Sequence, residues 1–201
     1  MNTIQRQLWH LTLLTVTGLI GSVIAGLVQY GLEVVKPNSV AFAFVAYGLT
    51  GAFIFAFYHV RGLSNTIAAA VVVSAVQCIA SSFMIPIANA VVWSFGINLP
   101  VVALAFIFEK KLETFGTWKF IVVGIVYAAT FVLMTFLVGL VTNVESLPPD
   151  LFRKNFMDGL LLGLGLGLGV ETGESFLGSL ELHRTEKKWP AHKGSVDSEN
   201  D

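Results

Sequence analysis

Long apolar runs alternate with short polar interruptions along this chain, and the runs recur at membrane length. A helix needs about 20 apolar residues to cross the hydrocarbon core of a bilayer. Four stretches meet that need, at 11–31, 40–60, 119–142 and 157–180. The region from Thr66 to Phe108 holds 43 residues without a charge, too many for one crossing. Two antiparallel helices joined near Ser81-Ser82-Phe83-Met84-Ile85-Pro86 account for it. Proline suits the first turn of a following helix, and the residue before proline resists the α region. The expected fold is all-α, a polytopic membrane helical bundle of six transmembrane helices. Its alternative has five helices plus a re-entrant segment, with one long helix ending near Trp93 and a short piece crossing Gly96-Ile97-Asn98-Leu99-Pro100.

Basic residues choose between the two, since Lys and Arg gather on the cytoplasmic side. Six spans with the N-terminus inside place nine basic residues in the cytoplasm: Arg6, Arg61, Lys110, Lys111, Lys119, Arg184, Lys187, Lys188 and Lys193. Three then face out: Lys36, Arg153 and Lys154. Five spans give four inside and eight outside, against the rule. The six-span reading puts both termini in the cytoplasm. Trp9 and Trp118 fall at expected cytoplasmic ends, where amphipathic rings favour the headgroup region. Trp93 does not fit, because it falls within the fourth span.

Composition strengthens the membrane reading. Hydrophobic residues make up 55% of the 201 residues and charged ones 12%, about half the charged share of a soluble domain. A soluble fold of this size could not hide so much apolar surface. Residues 1–182 are expected to form a single transmembrane domain, and the polar stretch 183–201 a disordered cytoplasmic tail. The segment TNVESLPPDLFRKN should be an external, largely structureless loop. The N-terminal run reads as an uncleaved first helix, since only Arg6 precedes an apolar stretch of spanning length. A bacterial inner membrane, or its equivalent, is the expected location. Net charge is −1, so no basic field points to nucleic acid. The lone cysteine, Cys78, excludes an intramolecular disulfide and any CxxC pattern.

Helices in lipid associate through close packing, which small residues four apart permit. Gly18, Ser22 and Gly26 form such a row in the first span, and Gly48, Ala52 and Ala56 in the second. The last span, FMDGLLLGLGLGLGVETGESFLGSLEL, carries two rows. Gly159, Gly163 and Gly167 lead to Glu171, while Gly165, Gly169 and Gly173 lie on another face, since each residue turns about 100°. Two flat faces let one helix sit between two neighbours. The short Leu-Gly repeat resembles those in some magnetosome membrane proteins, and glycine rows recur in rotor-ring subunits of ATP synthases. This low-complexity stretch implies close helix contact and no particular activity.

Glu171 and Glu174 stand one turn apart near the end of that span. Carboxylates at bilayer depth are costly and mark a pathway, a relay or a buried partner. His59 and Arg61 end the second span at the same expected side, so either can meet the glutamates, Arg61 as a register-fixing ion pair and His59 as a proton relay. Ser74, Gln77 and Ser81 form a polar stripe on the third span, with Asn89 and Asn98 as further candidates; Asn98 beside Pro100 would mark a helix break. HExxH, GxSxG and Walker A motifs are absent, and the four histidines do not pair within a span. No catalytic residue, metal or cofactor is expected. The expected function is a small transport or permeation component with an acidic intramembrane site formed from Glu171, Glu174, His59, Arg61 and Gln77. The alternative is a non-catalytic subunit or scaffold that packs through its glycine faces, with copies of itself or other membrane subunits as partners.

Overall fold

The structure is a computed structural model that describes residues 3–32, 37–83, 85–115, 118–142 and 147–188, with side chains described for 3–31, 44–83, 85–107, 118–142 and 147–180. Among the described residues every element is helical: α1 (Thr3–Leu32), α2 (Pro37–Arg61), α3 (Leu63–Ser82), α4 (Ile87–Phe115), α5 (Lys119–Val141) and α6 (Pro149–Lys188). Five of these, α1, α3, α4, α5 and α6, are long and apolar enough to cross a membrane. The remaining helix, α2, has 25 residues, and its first side chains lie outside the described set.

The region 66–108 divides as two helices, α3 ending at Ser82 and α4 beginning at Ile87. The re-entrant alternative is not what forms. α4 runs unbroken through Pro100, and Trp93 is packed against the core, edge-on to Phe131 with ring centroids 5.8 Å apart. Proline removes one backbone bond and crowds the preceding turn. Neighbouring helices hold this one together, since Ile97, Val101 and Leu104 around it are fully buried.

Two boundaries on α6 differ from expectation. The helix begins at Pro149, inside the segment expected to be a loop, because proline is tolerated at the first helical position and Asp150 complements the N-terminal dipole. It also continues to Lys188, beyond the expected tail boundary at 183. The added turns are rich in Glu and Lys, which favour helix. The rest of the expected tail, 189–201, lies outside the described residues.

α1 runs antiparallel to α2 and α5 to α6, as the order of their paired contacts shows. α6 packs between α5 and α1, α1 also packs on α2, and α2 touches α3, α4 and α6 as well. A single residue, Gly62, links α2 to α3 with φ +77°, a left-handed conformation open to glycine and costly for other residues. The turn closes through Gly62 N–H to the Tyr58 carbonyl at 2.9 Å. It ends α2 two residues after His59.

Glycine sets the spacing of the central layer. A methyl group at Gly159 would lie 2.7 Å from the Tyr127 carbonyl oxygen, one at Gly163 2.7 Å from that of Val123, and one at Gly167 2.8 Å from Phe120 Cα. All three neighbours are on α5. On the other face Gly165 meets Gly21 and Ala25, Gly169 meets Thr17 and Gly18, and Gly173 meets Thr17 and Leu14, all on α1. The smaller row on α1 works the same way, with Gly26 against Phe44, Ser22 against Gly48 and Gly18 against Ala52.

Candidate functional site

The close approach of α5 to α6 builds the site. Because Gly167 has no side chain, Phe120 seats against it, and this brings Lys119, the first residue of α5, beside the glutamates one and two turns further along α6. Glu174 is then held from two sides. Its Oε1 lies 2.7 Å from His59 Nε2, and its Oε2 lies 3.8 Å from Lys119 Nζ. The His59 ring is itself positioned by two aromatics on α2, Phe55 with centroids 5.6 Å apart and Tyr58 at 5.4 Å, edge-on. Helix ends reinforce the arrangement. The first turn of α5 offers unpaired backbone N–H groups, with no side-chain cap at Trp118, and favours an anion there. The last turn of α2 favours the basic His59.

His59, Lys119, Glu171 and Glu174 line one small cavity together with Phe55, Tyr58, Phe120, Val123, Gly167 and Val170. Its volume is about 20 Å³, and a single water needs about 10–15 Å³. The space therefore takes one water or one small ion. The side chains of His59, Lys119 and Glu174 are about a quarter exposed, so the cluster is neither sealed nor fully open. Glu171 faces the same cavity, and among the described residues its carboxylate has no ion-pair or hydrogen-bond partner. Two carboxylates thus share one lysine and one histidine whose charge depends on protonation.

Of the five residues expected to form the site, His59, Glu171 and Glu174 come together. Arg61 does not join them: its side chain is exposed, and its backbone carbonyl accepts a hydrogen bond from Asn65 Nδ2 at 2.9 Å. It sits two residues past His59, beyond the face of α2 that meets α6. Gln77 belongs to a different contact. Asn98 Nδ2 on α4 donates to Ser74 Oγ at 2.9 Å, to Gln77 Oε1 at 3.2 Å and to the Ser94 carbonyl at 2.9 Å. Asn98 therefore ties α3 to α4 rather than marking a break. Three other polar contacts went unforeseen. From sequence alone Lys119 is only a basic residue at the start of the fifth span. Gln29 Nε2 donates to Asp158 Oδ1 at 2.8 Å between α1 and α6, and Asn155 Nδ2 donates to Thr135 Oγ1 at 2.6 Å between α6 and α5. Gln29 carried a usable signal, as a lone amide within an apolar run.

Among the described residues no group of three or more His, Cys, Asp or Glu is placed to hold a metal ion. Comparison with protein families, with curated proteins and with solved structures finds no match.

Proposed function

We propose that this protein is a multi-pass membrane transport or permeation component that accepts a proton or one small monovalent cation at the Glu171–Glu174–His59–Lys119 cluster. The observation that carries the reading is the shared cavity, with Glu174 matched by His59 and Lys119 while Glu171 faces it without a cation of its own. With His59 neutral, two carboxylates against one ammonium leave one negative charge over. That surplus negative charge attracts one cation into the cavity. A cavity of about 20 Å³ leaves no room for an organic solute at this position. The same end of the bundle carries Arg6, Arg61 and Lys119, which supports a cytoplasmic placement for the cluster and for both termini. The glycine rows on which an assembly role would rest are taken up by α1 and α5 of the same chain.

The test is proton and sodium flux into proteoliposomes under an imposed membrane potential, read with lumenal dyes. The wild-type protein should carry one of the two ions above the protein-free rate. Glu171→Gln should lower that flux at least about tenfold, the scale of a lost 1.4 kcal/mol. Flux no greater than that of empty liposomes, or full flux in the Glu171→Gln variant, would overturn the proposal.

A further inference from the structure

Lys119 is the member of the cluster in the least favourable place. It is the first residue of α5, whose opening turn contains no acidic residue. The unpaired N–H groups of a helix start carry partial positive charge, so a lysine there is disfavoured. A lysine that only anchored the helix end would extend into water. This one lines the cavity, is about a quarter exposed, and sets its Nζ 3.8 Å from Glu174 Oε2. Phe120 seats against Gly167, so α5 cannot carry Lys119 away without parting from α6.

Two occupants fit the cluster by charge, a proton and a sodium-sized cation, and the lining separates them. A metal cation gives up its water only where a ring of oxygens replaces it. Among the described residues the side-chain oxygens of the lining belong to Glu171, Glu174 and Tyr58. Both oxygens of Glu174 are engaged, Oε1 by His59 Nε2 at 2.7 Å and Oε2 by Lys119. The Tyr58 carbonyl is engaged too, by Gly62 N–H. What remains for a metal cation is the Glu171 carboxylate, the Tyr58 hydroxyl and room for one water, in a space shared with an ammonium. Two positive charges about 4 Å apart repel strongly in a site that is only partly wet.

A proton asks for none of this. It takes one lone pair, on Glu171 or on neutral His59, and displaces neither Lys119 nor the contact of His59 with Glu174. Uptake forms one O–H or N–H bond and release breaks the same bond, with no other reactant. We infer that Lys119 is a tethered cation that fills the place of a metal ion and reserves the cluster for protons. This rests on the ion-accepting role proposed for the cluster and narrows it.

The experiment measures proton and sodium flux through the full chain in one preparation of proteoliposomes, so that their ratio does not depend on the amount of folded protein. Wild type should carry protons equally well when choline replaces sodium, and should carry no sodium above the protein-free rate. Lys119→Gln removes the ammonium, adds an amide oxygen and leaves both carboxylates without it. Sodium should then enter, and the proton-to-sodium ratio should fall at least about tenfold, the weight of one nearby unit charge. Lys119→Met tests the same point if the glutamine variant fails to fold. Lys119→Arg keeps the charge and should keep sodium out, whatever its rate. Sodium flux through wild type that Glu171→Gln removes would overturn the inference and leave the ion-accepting cluster standing. A ratio unchanged in Lys119→Gln would overturn it by assigning the lysine to anchoring alone. Loss of both fluxes in a folded Lys119→Gln or Lys119→Met protein would overturn it as well, since the lysine would then belong to the proton path. Flux of neither ion through wild type would overturn both the inference and the reading beneath it.

Discussion

Tyr127 shows how a single atom can work against a packed interior. The residue is fully buried, and its hydroxyl has no hydrogen-bond partner among the described residues. A buried hydroxyl left unpaired costs about 1–3 kcal/mol. Tyr127→Phe should therefore raise thermal stability in detergent, or leave it unchanged, where most core substitutions lower it. Gly51 makes the effect separable, because a methyl group there would stand 2.7 Å from the same oxygen. Gly51→Ala should destabilise, and adding Tyr127→Phe should recover part of the loss, a coupling that a double-mutant cycle measures. Additive losses would show that the hydroxyl is not the obstacle. His59 and Glu174 differ in kind, since each has its partner in place. His59→Ala should cost flux through the cluster more than it costs stability, because the contact is about a quarter exposed and partly screened.

Helix by helix, α6 depends most on what its residues lack. Gly163 and Gly178 lie on the same helix, yet a methyl group at Gly163 would press on the α5 backbone, while one at Gly178 meets nothing within 4 Å. Alanine should thus act with opposite sign at the two positions. Gly163→Ala should destabilise by roughly 1–3 kcal/mol through overpacking. Gly178→Ala should stabilise by up to about 1 kcal/mol through helix propensity. Denaturation of both variants in the same detergent checks the pair, and equal signs would contradict the packing described for α6. This pattern explains what was readable beforehand. Glycine rows and charge-free runs announce helices and their small faces, so the helix pair within 66–108 and the two faces of α6 could be read directly. Partner choice could not. Lys119 reaches Glu174 only because Gly167 admits Phe120, a consequence of how two helices approach each other. Arg61, two residues from His59 and of the right charge, turns out to the surface. Pro148-Pro149 reads as loop by its prolines, yet Pro149 opens α6 because the first helical position needs no backbone N–H.

Taken whole, the molecule is polarised along its helix axes. The charged cluster of His59, Lys119, Glu171 and Glu174 occupies one end of the bundle, and the hydrogen bonds from Gln29 to Asp158 and from Asn155 to Thr135 lie toward the other. If the helices cross the bilayer in the order described, Thr3 and Asn65 share one side and Asp150 faces the opposite one. Single cysteines at these exposed positions, in a Cys78→Ser background, should react with a membrane-impermeant maleimide accordingly. Thr3→Cys and Asn65→Cys should label from one side only, and Asp150→Cys from the other. Labelling of all three from the same side would refute the antiparallel crossing.

Asp158 and Glu174 stand sixteen residues apart on α6, a separation of about 24 Å along a straight helix. Each is fastened to a different neighbour, one to α1 and the other to α2 and α5. Such a helix cannot slide like a piston without breaking both fastenings at once. The pair also acts as a ruler. A bilayer whose oily layer is much thicker than that interval would draw one acid into hydrocarbon, so activity should fall as lipid tails lengthen and the helix tilts to compensate.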